Sequence, residues 1–69
     1  MFPNLLGQKA FFKLSGEDMG KIAGISRQSY EAKMESGKFT AAECKAYCKH
    51  FSKPFDFLFA TDEELPREG

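Results

Sequence analysis

Apolar residues recur three and four positions apart in two neighbouring short segments near the middle of the chain. The two stripes consist of Met19, Ile22 and Ala23, and then of Tyr30 and Met34. Such spacing places each set on one face of a helix. Gly24 lies between the segments, where a helix often ends in a left-handed residue that glycine adopts without steric cost. The pattern predicts two short helices joined by a tight turn at residues 24–26, with Ile25 turned inward.

Polar residues at the ends of these stripes support the same boundaries. Ser15 and Ser26 are good N-cap residues, and Glu17 and Asp18 follow the first of them, where acidic side chains suit a helix N-terminus. Gly37, after Ser36, supplies a stop for the second helix. A generic helical hairpin has the same periodicity, so the spacing alone leaves that alternative open.

Two further helices and a short closing one are predicted around this pair. The first runs over residues 4–14, with Asn4 as its N-cap, and the line facing the core consists of Leu6, Ala10 and Leu14, with Phe2 and either Phe11 or Phe12 added. The fourth begins at a capping box formed by Thr40 and Glu43. Its inward residues are Cys44, Tyr47, Cys48 and Phe51. Pro54 marks the first turn of a fifth helix over residues 55–59. The residues expected to close the core there are Phe55, Leu58 and Phe59.

Length and charge fit one small domain. The 69 residues are near the lower limit for a self-sufficient hydrophobic core, and the formal net charge is zero. Residues 1–53 carry nine basic side chains against five acidic ones, a balance of +4, and residues 54–69 carry one against five, a balance of −4. A basic body with an acidic end still presents a positive face, although an ordinary solvated surface explains the pattern too. We expect a domain at residues 1–60 and a frayed acidic tail at residues 61–69.

Candidate catalytic and metal chemistry is weak. Cys44 and Cys48 lie four apart on one helix face with His50 nearby, but a structural zinc site needs four ligands and no fourth is evident. Core cysteines in a reducing compartment are the favoured interpretation, with His50 on the surface. No nucleophile is placed beside the histidine, and no glycine-rich phosphate loop of the required form occurs. We expect no enzyme, cofactor, metal or small-molecule ligand.

Targeting signals are also lacking. No apolar run approaches the roughly 18 residues of a membrane span, and the N-terminus does not have the basic and apolar regions of a signal peptide. We expect a cytoplasmic protein, associated with the bacterial nucleoid if it binds DNA.

Residue types at fixed offsets along the chain resemble the helix-turn-helix family of lambdoid phage repressors and Cro proteins, also called the XRE family. In the helix pair, the matching residues are Ser15, Glu17, Asp18, Gly20, Gly24-Ile25-Ser26, Gln28-Ser29-Tyr30-Glu31, Lys33, Glu35 and Gly37-Lys38. Downstream, the matches are Phe39-Thr40-Ala41-Ala42-Glu43, Phe51 and Phe55-Asp56-Phe57-Leu58-Phe59. The resemblance implies an all-α, five-helix domain of the lambda-repressor-like type. One departure is Gly16, because the family usually has a phosphate-binding glutamine at the first position of the second helix.

The outward face of the third helix carries the functional hypothesis. Arg27 and Gln28 lie in its first turn, and arginine pairs bidentately with guanine and glutamine with adenine. In the resembling repressors, the positions equivalent to Arg27, Gln28 and Ala32 face base edges, and Ala32 is suited at most to a thymine methyl group. Backbone contacts are expected from Ser26 and Ser29 hydroxyls and, by the resemblance, from Lys9 and Lys38. Lys33 either contacts phosphate or stays in solvent.

These observations predict a sequence-specific transcriptional regulator of phage or bacterial type that reads the major groove of double-stranded DNA. A homodimer is expected, because one such helix reads too few base pairs for useful specificity. The fifth helix and the phenylalanine-rich end of the chain are the expected interface. The alternative is a protein-interaction module of the same fold, antitoxin-like or anti-repressor-like, which Gly16, the zero net charge and the acidic tail favour.

Overall fold

Five helices and no strand make up residues 2–63, the part of the chain that the computed structural model describes. They are α1 (Pro3–Phe11), α2 (Gly16–Ala23), α3 (Arg27–Ser36), α4 (Ala41–Phe51) and α5 (Phe55–Leu58). Helix α2 packs against α3 and α4, and α5 packs against α1 and α4. The predicted all-helical class and the order of five helices are confirmed.

The helix ends follow the polar signals in the sequence. Ser15, Ser26 and Thr40 each accept a hydrogen bond on the side-chain oxygen from the backbone N–H three residues later, at 3.0, 3.1 and 3.2 Å. Gly24 and Gly37 have φ angles of 74° and 77°, in the left-handed region, and both follow the last residue of a helix. These caps and stops confirm the predicted boundaries of α2, α3 and the start of α4.

Helix α1 differs from its prediction. Phe2, not Asn4, is the N-cap, and Asn4 instead donates its side-chain amide to the carbonyl oxygen of Phe57 at 2.8 Å. The helix ends at Phe11 because Phe12 and Lys13 leave helical geometry, the latter with a φ of 56°. With these bounds Leu5 turns inward and is completely buried.

The predicted inward line of α1 is confirmed only in part: Leu6 and Leu14 pack against the core, but the fully buried residue of the helix is Leu5, which the line omits. Leu6 and Leu14 are only partly buried and Ala10 is exposed. Phe11 and Phe12 are 76% and 52% exposed, so neither belongs to the core. Phe2 is buried, as predicted.

Aromatic rings close the core around the segment between α3 and α4. The ring of Phe39 lies 5.9 Å from that of Phe2, 5.7 Å from Tyr47 and 5.8 Å from Phe59, measured between centroids. The other buried members of this core cluster are Leu5, Met19, Tyr30, Met34, Cys44, Phe51 and Leu58. The Tyr30–Met34 stripe of α3 thus faces inward, as predicted, and its opposite side stays open to solvent.

Helix α5 ends at Leu58, one residue before the predicted end. Leu58 and Phe59 are buried as expected, but Phe55 is 56% exposed, so its assignment to the core was wrong. Phe55 lies on the same side of α5 as Phe59, and its ring stacks on that of Phe59 at 5.2 Å between centroids, but at the edge of the core, where more than half of its surface stays open to solvent. Of the expected acidic tail, residues 61–63 carry no helix, and residues 64–69 lie outside the described residues.

Candidate nucleic-acid interface

The turn between α2 and α3 is held by backbone hydrogen bonds. The N–H of Ile25 donates to the carbonyl of Gly20 at 2.8 Å, and that of Gly24 donates to Lys21 at 3.2 Å. Ile25 packs partly buried against the core. The Ser26 hydroxyl then caps the N–H of Ser29 and starts α3 within two residues of the turn. These hydrogen bonds hold the start of α3 in a fixed position relative to the end of α2.

Gly20 lets α2 lie close to the turn that leads into α3. A Cβ atom added at Gly20 would lie 2.6 Å from the carbonyl oxygen of Ile25 and 3.1 Å from atoms of the Ser26 backbone. The backbone of the turn occupies that space, so a side chain there would push α2 and the turn apart. The buried hydroxyl of Tyr47, which donates to the carbonyl of Met19 at 2.8 Å, ties α4 to the same helix.

Helix α3 divides into a buried and an exposed side. Tyr30 and Met34 are buried, whereas Arg27, Gln28 and Ala32 are exposed, as the sequence placed them. At about 100° per residue, Gln28 and Ala32 lie roughly opposite Tyr30 and Met34, whereas Arg27 lies nearer the buried side and reaches solvent from the first position of the helix. An arginine and a glutamine therefore stand at the solvent-facing start of a helix that is fixed in the core.

Arg27 lies over the start of α2. The position that a Cβ would take at Gly16 is 3.1 Å from the Cγ atom of Arg27 and 3.5 Å from the Oε2 atom of Glu31. The contact joins the first residues of two helices and depends on the absence of a side chain at position 16. No local sequence pattern announces it, since it depends on how α2 crosses α3.

Lys33 is engaged by an acidic partner from another helix. Its Nζ lies 2.6 Å from Oε2 of Glu43, whose Oε1 accepts the backbone N–H of Thr40 at 2.8 Å. The hydrogen bond from Lys33, followed by that from Thr40, lowers the pKa of Glu43 below its usual value of 4.5. The capping box was predicted from the sequence, but the Lys33–Glu43 pair was not, because its members are ten residues apart and on different helices.

The remaining backbone-contact candidates differ in accessibility. Ser26 and Lys38 are exposed, and Ser29 is half-buried. Lys9 is half-buried in a cleft of about 420 Å³ that residues of α1, α2 and α3 line. Glu31 and Glu35 line the same cleft, and their charges offset the attraction of Lys9 for an anion. Lys38 is thus the better placed of the two lysines that the resemblance singled out.

Cys44 and Cys48 are free thiols, the first buried and the second half-buried. Burial raises the pKa of both thiols, so they stay protonated at neutral pH. His50 is exposed, with its ring against the edge of Phe51 at 4.9 Å. Within residues 2–63, no group of three or more histidine, cysteine or acidic side chains is arranged to hold a metal ion.

The helices are too short to cross a bilayer. The longest in the described range, α4, has 11 residues, and no described helix combines the length and hydropathy that a membrane span requires.

Comparisons with protein-family models, with characterised proteins and with solved structures find no match to this chain. Only the site itself therefore bears on function.

Proposed function

We propose that the chain is a sequence-specific DNA-binding regulator that inserts α3 into the major groove. The observation that carries the proposal is the exposure of Arg27 and Gln28 in the first turn of a helix that Tyr30 and Met34 anchor in the core. A helix presented in this way, directly after a tight turn from a supporting helix, is the arrangement with which helix-turn-helix proteins read base edges.

Three side chains supply the proposed base contacts. The guanidinium of Arg27 is suited to the O6 and N7 atoms of guanine, and the amide of Gln28 to the N6 and N7 atoms of adenine. Ala32, one turn further along the same exposed side, offers a methyl group to a thymine. Each bidentate pair discriminates against the wrong base by about 1–3 kcal/mol.

Backbone contacts come from the rim of this surface. Lys38 lies in the segment after α3, and the hydroxyls of Ser26 and Ser29 lie at its start. Lys9 contributes less, because two carboxylates share its cleft. Lys33 is last among the candidates, because Glu43 lies 2.6 Å from its Nζ and offsets its charge.

The proposed complex contains two copies of the chain. One copy of α3 contacts too few base pairs to distinguish a site within a genome. Phe55 and Phe57, which α5 leaves 56% and 40% exposed, are the apolar groups that a second copy would cover. Two half-sites one helical turn apart follow from such a dimer.

Selection from randomised DNA duplexes tests the proposal. The expected result is an enriched, palindromic sequence, with Arg27→Ala and Gln28→Ala each relaxing the preference at a different position. Lys45→Ala serves as the control, because it removes an exposed charge from α4 without touching α3. Failure to enrich any sequence, or enrichment that both α3 variants leave unchanged, contradicts the proposal.

A protein-interaction module is the second candidate, and the exposed phenylalanines favour it. Phe11 and Phe12 are 76% and 52% exposed at the end of α1, in addition to the two on α5. Clusters of exposed apolar side chains commonly mark partner surfaces. Salt separates the two functions, because DNA affinity falls steeply with salt concentration whereas burial of apolar surface is largely insensitive to it.

A further inference from the structure

The aliphatic stem of Arg27, at the start of α3, lies beside Gly16, the first residue of α2. A Cβ atom at Gly16 would lie 3.1 Å from Cγ and 3.5 Å from Cδ of Arg27. The shorter distance is tighter than an ordinary van der Waals contact between carbon atoms, which is about 3.5–4.0 Å. The aliphatic stem of Arg27 therefore occupies the space that a side chain at position 16 would need.

We propose that Gly16 is a specificity-determining residue that acts through Arg27. The missing side chain lets the arginine stem lie across the first residue of α2, and this contact fixes the point from which the guanidinium leaves the protein surface. The inference rests on the proposed function, since it assigns to Gly16 control over one base contact. Gly16 is a positioning residue and need not touch DNA itself.

The contact matters because arginine reads guanine only in a defined geometry. Both donors of the guanidinium fork must meet O6 and N7 in the plane of the base. A free arginine side chain samples many rotamers, and ordering them on binding costs affinity. A stem already packed against α2 has lost part of that freedom before DNA arrives. A side chain at position 16 would move the stem and misalign the fork.

Gly16→Ala tests this inference, and the chain offers a matched control. The variant is expected to fold, because alanine is a better helix former than glycine and the atoms it displaces belong to a flexible side chain. Gly7→Ala makes the same chemical change on α1, where an added Cβ meets nothing within 4 Å. Both variants, the parent protein and Arg27→Ala are passed through the same selection from randomised duplexes.

The expected result is specific to one base position. Arg27→Ala identifies the position that Arg27 reads, and Gly16→Ala weakens the preference there by about tenfold, the loss of one good base contact, while other positions keep theirs. Gly7→Ala keeps the parent preference at every position. Gly16→Ala added to Arg27→Ala changes nothing further, because the residue through which it acts is gone.

Four results overturn the inference in distinguishable ways. An unchanged preference in Gly16→Ala shows that the contact does not control readout. An even loss of affinity at all positions, persisting in the Arg27→Ala background, shows a general structural role instead. If the parent protein selects no sequence, the proposed function fails and the inference falls with it. Proton–proton NMR contacts between Gly16 and the Arg27 stem check the packing without DNA, and their absence also contradicts the inference.

Discussion

The core contains two tyrosines, and only one of their hydroxyl groups has a hydrogen-bond partner among the described residues. Tyr47 donates to the carbonyl of Met19 at 2.8 Å, whereas the buried hydroxyl of Tyr30 has no hydrogen-bond partner among the described residues. Burial raises the pKa of both phenols, so both are neutral at physiological pH. A buried hydroxyl without a partner has lost its hydration and gained nothing in return.

Replacing each tyrosine by phenylalanine therefore has different consequences. Tyr30→Phe is expected to leave the free energy of unfolding unchanged or to raise it, because it removes an unpaired polar group. Tyr47→Phe is expected to lower it by about 1 kcal/mol, because it deletes a buried hydrogen bond. Urea unfolding followed by circular dichroism measures both, and a larger loss for Tyr30→Phe than for Tyr47→Phe would contradict the assignment.

Glu43 makes stability depend on pH. Its pKa in the folded protein lies below the usual 4.5, because Lys33 and the N–H of Thr40 hydrogen-bond to the carboxylate. Its contribution is complete above the unfolded pKa and disappears as the pH falls through the folded pKa. The melting temperature is expected to fall as the pH is lowered below about 4.5, and less steeply in Glu43→Gln.

A matched control separates this effect from a general response to acid. Glu17 pairs with Lys21 at 3.6 Å on an exposed face, where an ion pair contributes little. Glu17→Gln should therefore keep the acid sensitivity of the parent protein. Part of that sensitivity is expected to survive in Glu43→Gln too, because the N–H and hydroxyl of Ser15 lower the pKa of Asp18. Equal pH dependence in Glu43→Gln and the parent would refute the role of Glu43.

Helix ends in this chain are determined by single local residues. Ser15, Ser26 and Thr40 each satisfy a backbone N–H three residues on, and Gly24 takes the left-handed conformation that ends α2. Each of these interactions spans no more than a few residues, so the sequence alone predicted them. The start of α1 was mispredicted: Pro3 lies in the first turn of the helix, and the amide of Asn4, expected to cap it, donates instead to the carbonyl of Phe57, 53 residues away.

Some features of the candidate site could likewise be predicted from the sequence, and others could not. The exposure of Gln28 and Ala32 followed from helical periodicity, once Tyr30 and Met34 were assigned to the core, and that of Arg27 followed from its place at the start of the helix. The contacts of Gly16 with Arg27 and of Lys33 with Glu43 did not follow, because each joins two helices. Periodicity reports which side of a helix faces inward but not the distance or angle to its neighbour.

The angle between α2 and α3 depends on Gly20. An added Cβ would lie 2.6 Å from the carbonyl oxygen of Ile25, which belongs to the backbone and cannot rotate away. Gly20→Ala is expected to lower the free energy of unfolding by about 1–3 kcal/mol, the usual cost of overpacking, despite the better helix propensity of alanine. Gly7→Ala, with open space at its Cβ, should be neutral or stabilising. Thermal unfolding of the two variants measures this difference. Equal melting temperatures would show that α2 and the turn can accommodate a side chain at position 20.

At the scale of the whole molecule, the distribution of charge matters more than its sum. The chain is neutral, yet the first 53 residues carry an excess of +4 and the last 16 an excess of −4. DNA affinity contributed by phosphate contacts depends on how many cations lie at the interface, not on net charge. Under the proposed function, a neutral protein with few such contacts binds nonspecific DNA weakly, and readout by α3 would account for a larger share of its affinity.

Two exposed lysines can show whether positive charge acts on DNA through a phosphate contact beside α3 or through the electrostatic field of the whole protein. Lys38 is exposed in the segment after α3, and Lys45 is exposed on α4 beside the apolar groove that contains Cys44 and Phe55. Replacing either by alanine changes the net charge equally. Lys38→Ala is expected to reduce the slope of log affinity against log salt by about one, the loss of one phosphate contact, and Lys45→Ala to leave it unchanged. The slopes are measured by fluorescence anisotropy with a duplex enriched in selection.

Equal slopes in the two variants would show that the charge acts at a distance and that Lys38 contacts no phosphate. A salt-independent affinity in the parent protein would be a stronger contradiction, because an interface between α3 and a DNA duplex must release counterions. It would leave the exposed phenylalanines of α1 and α5 as the surface through which this molecule recognises a partner.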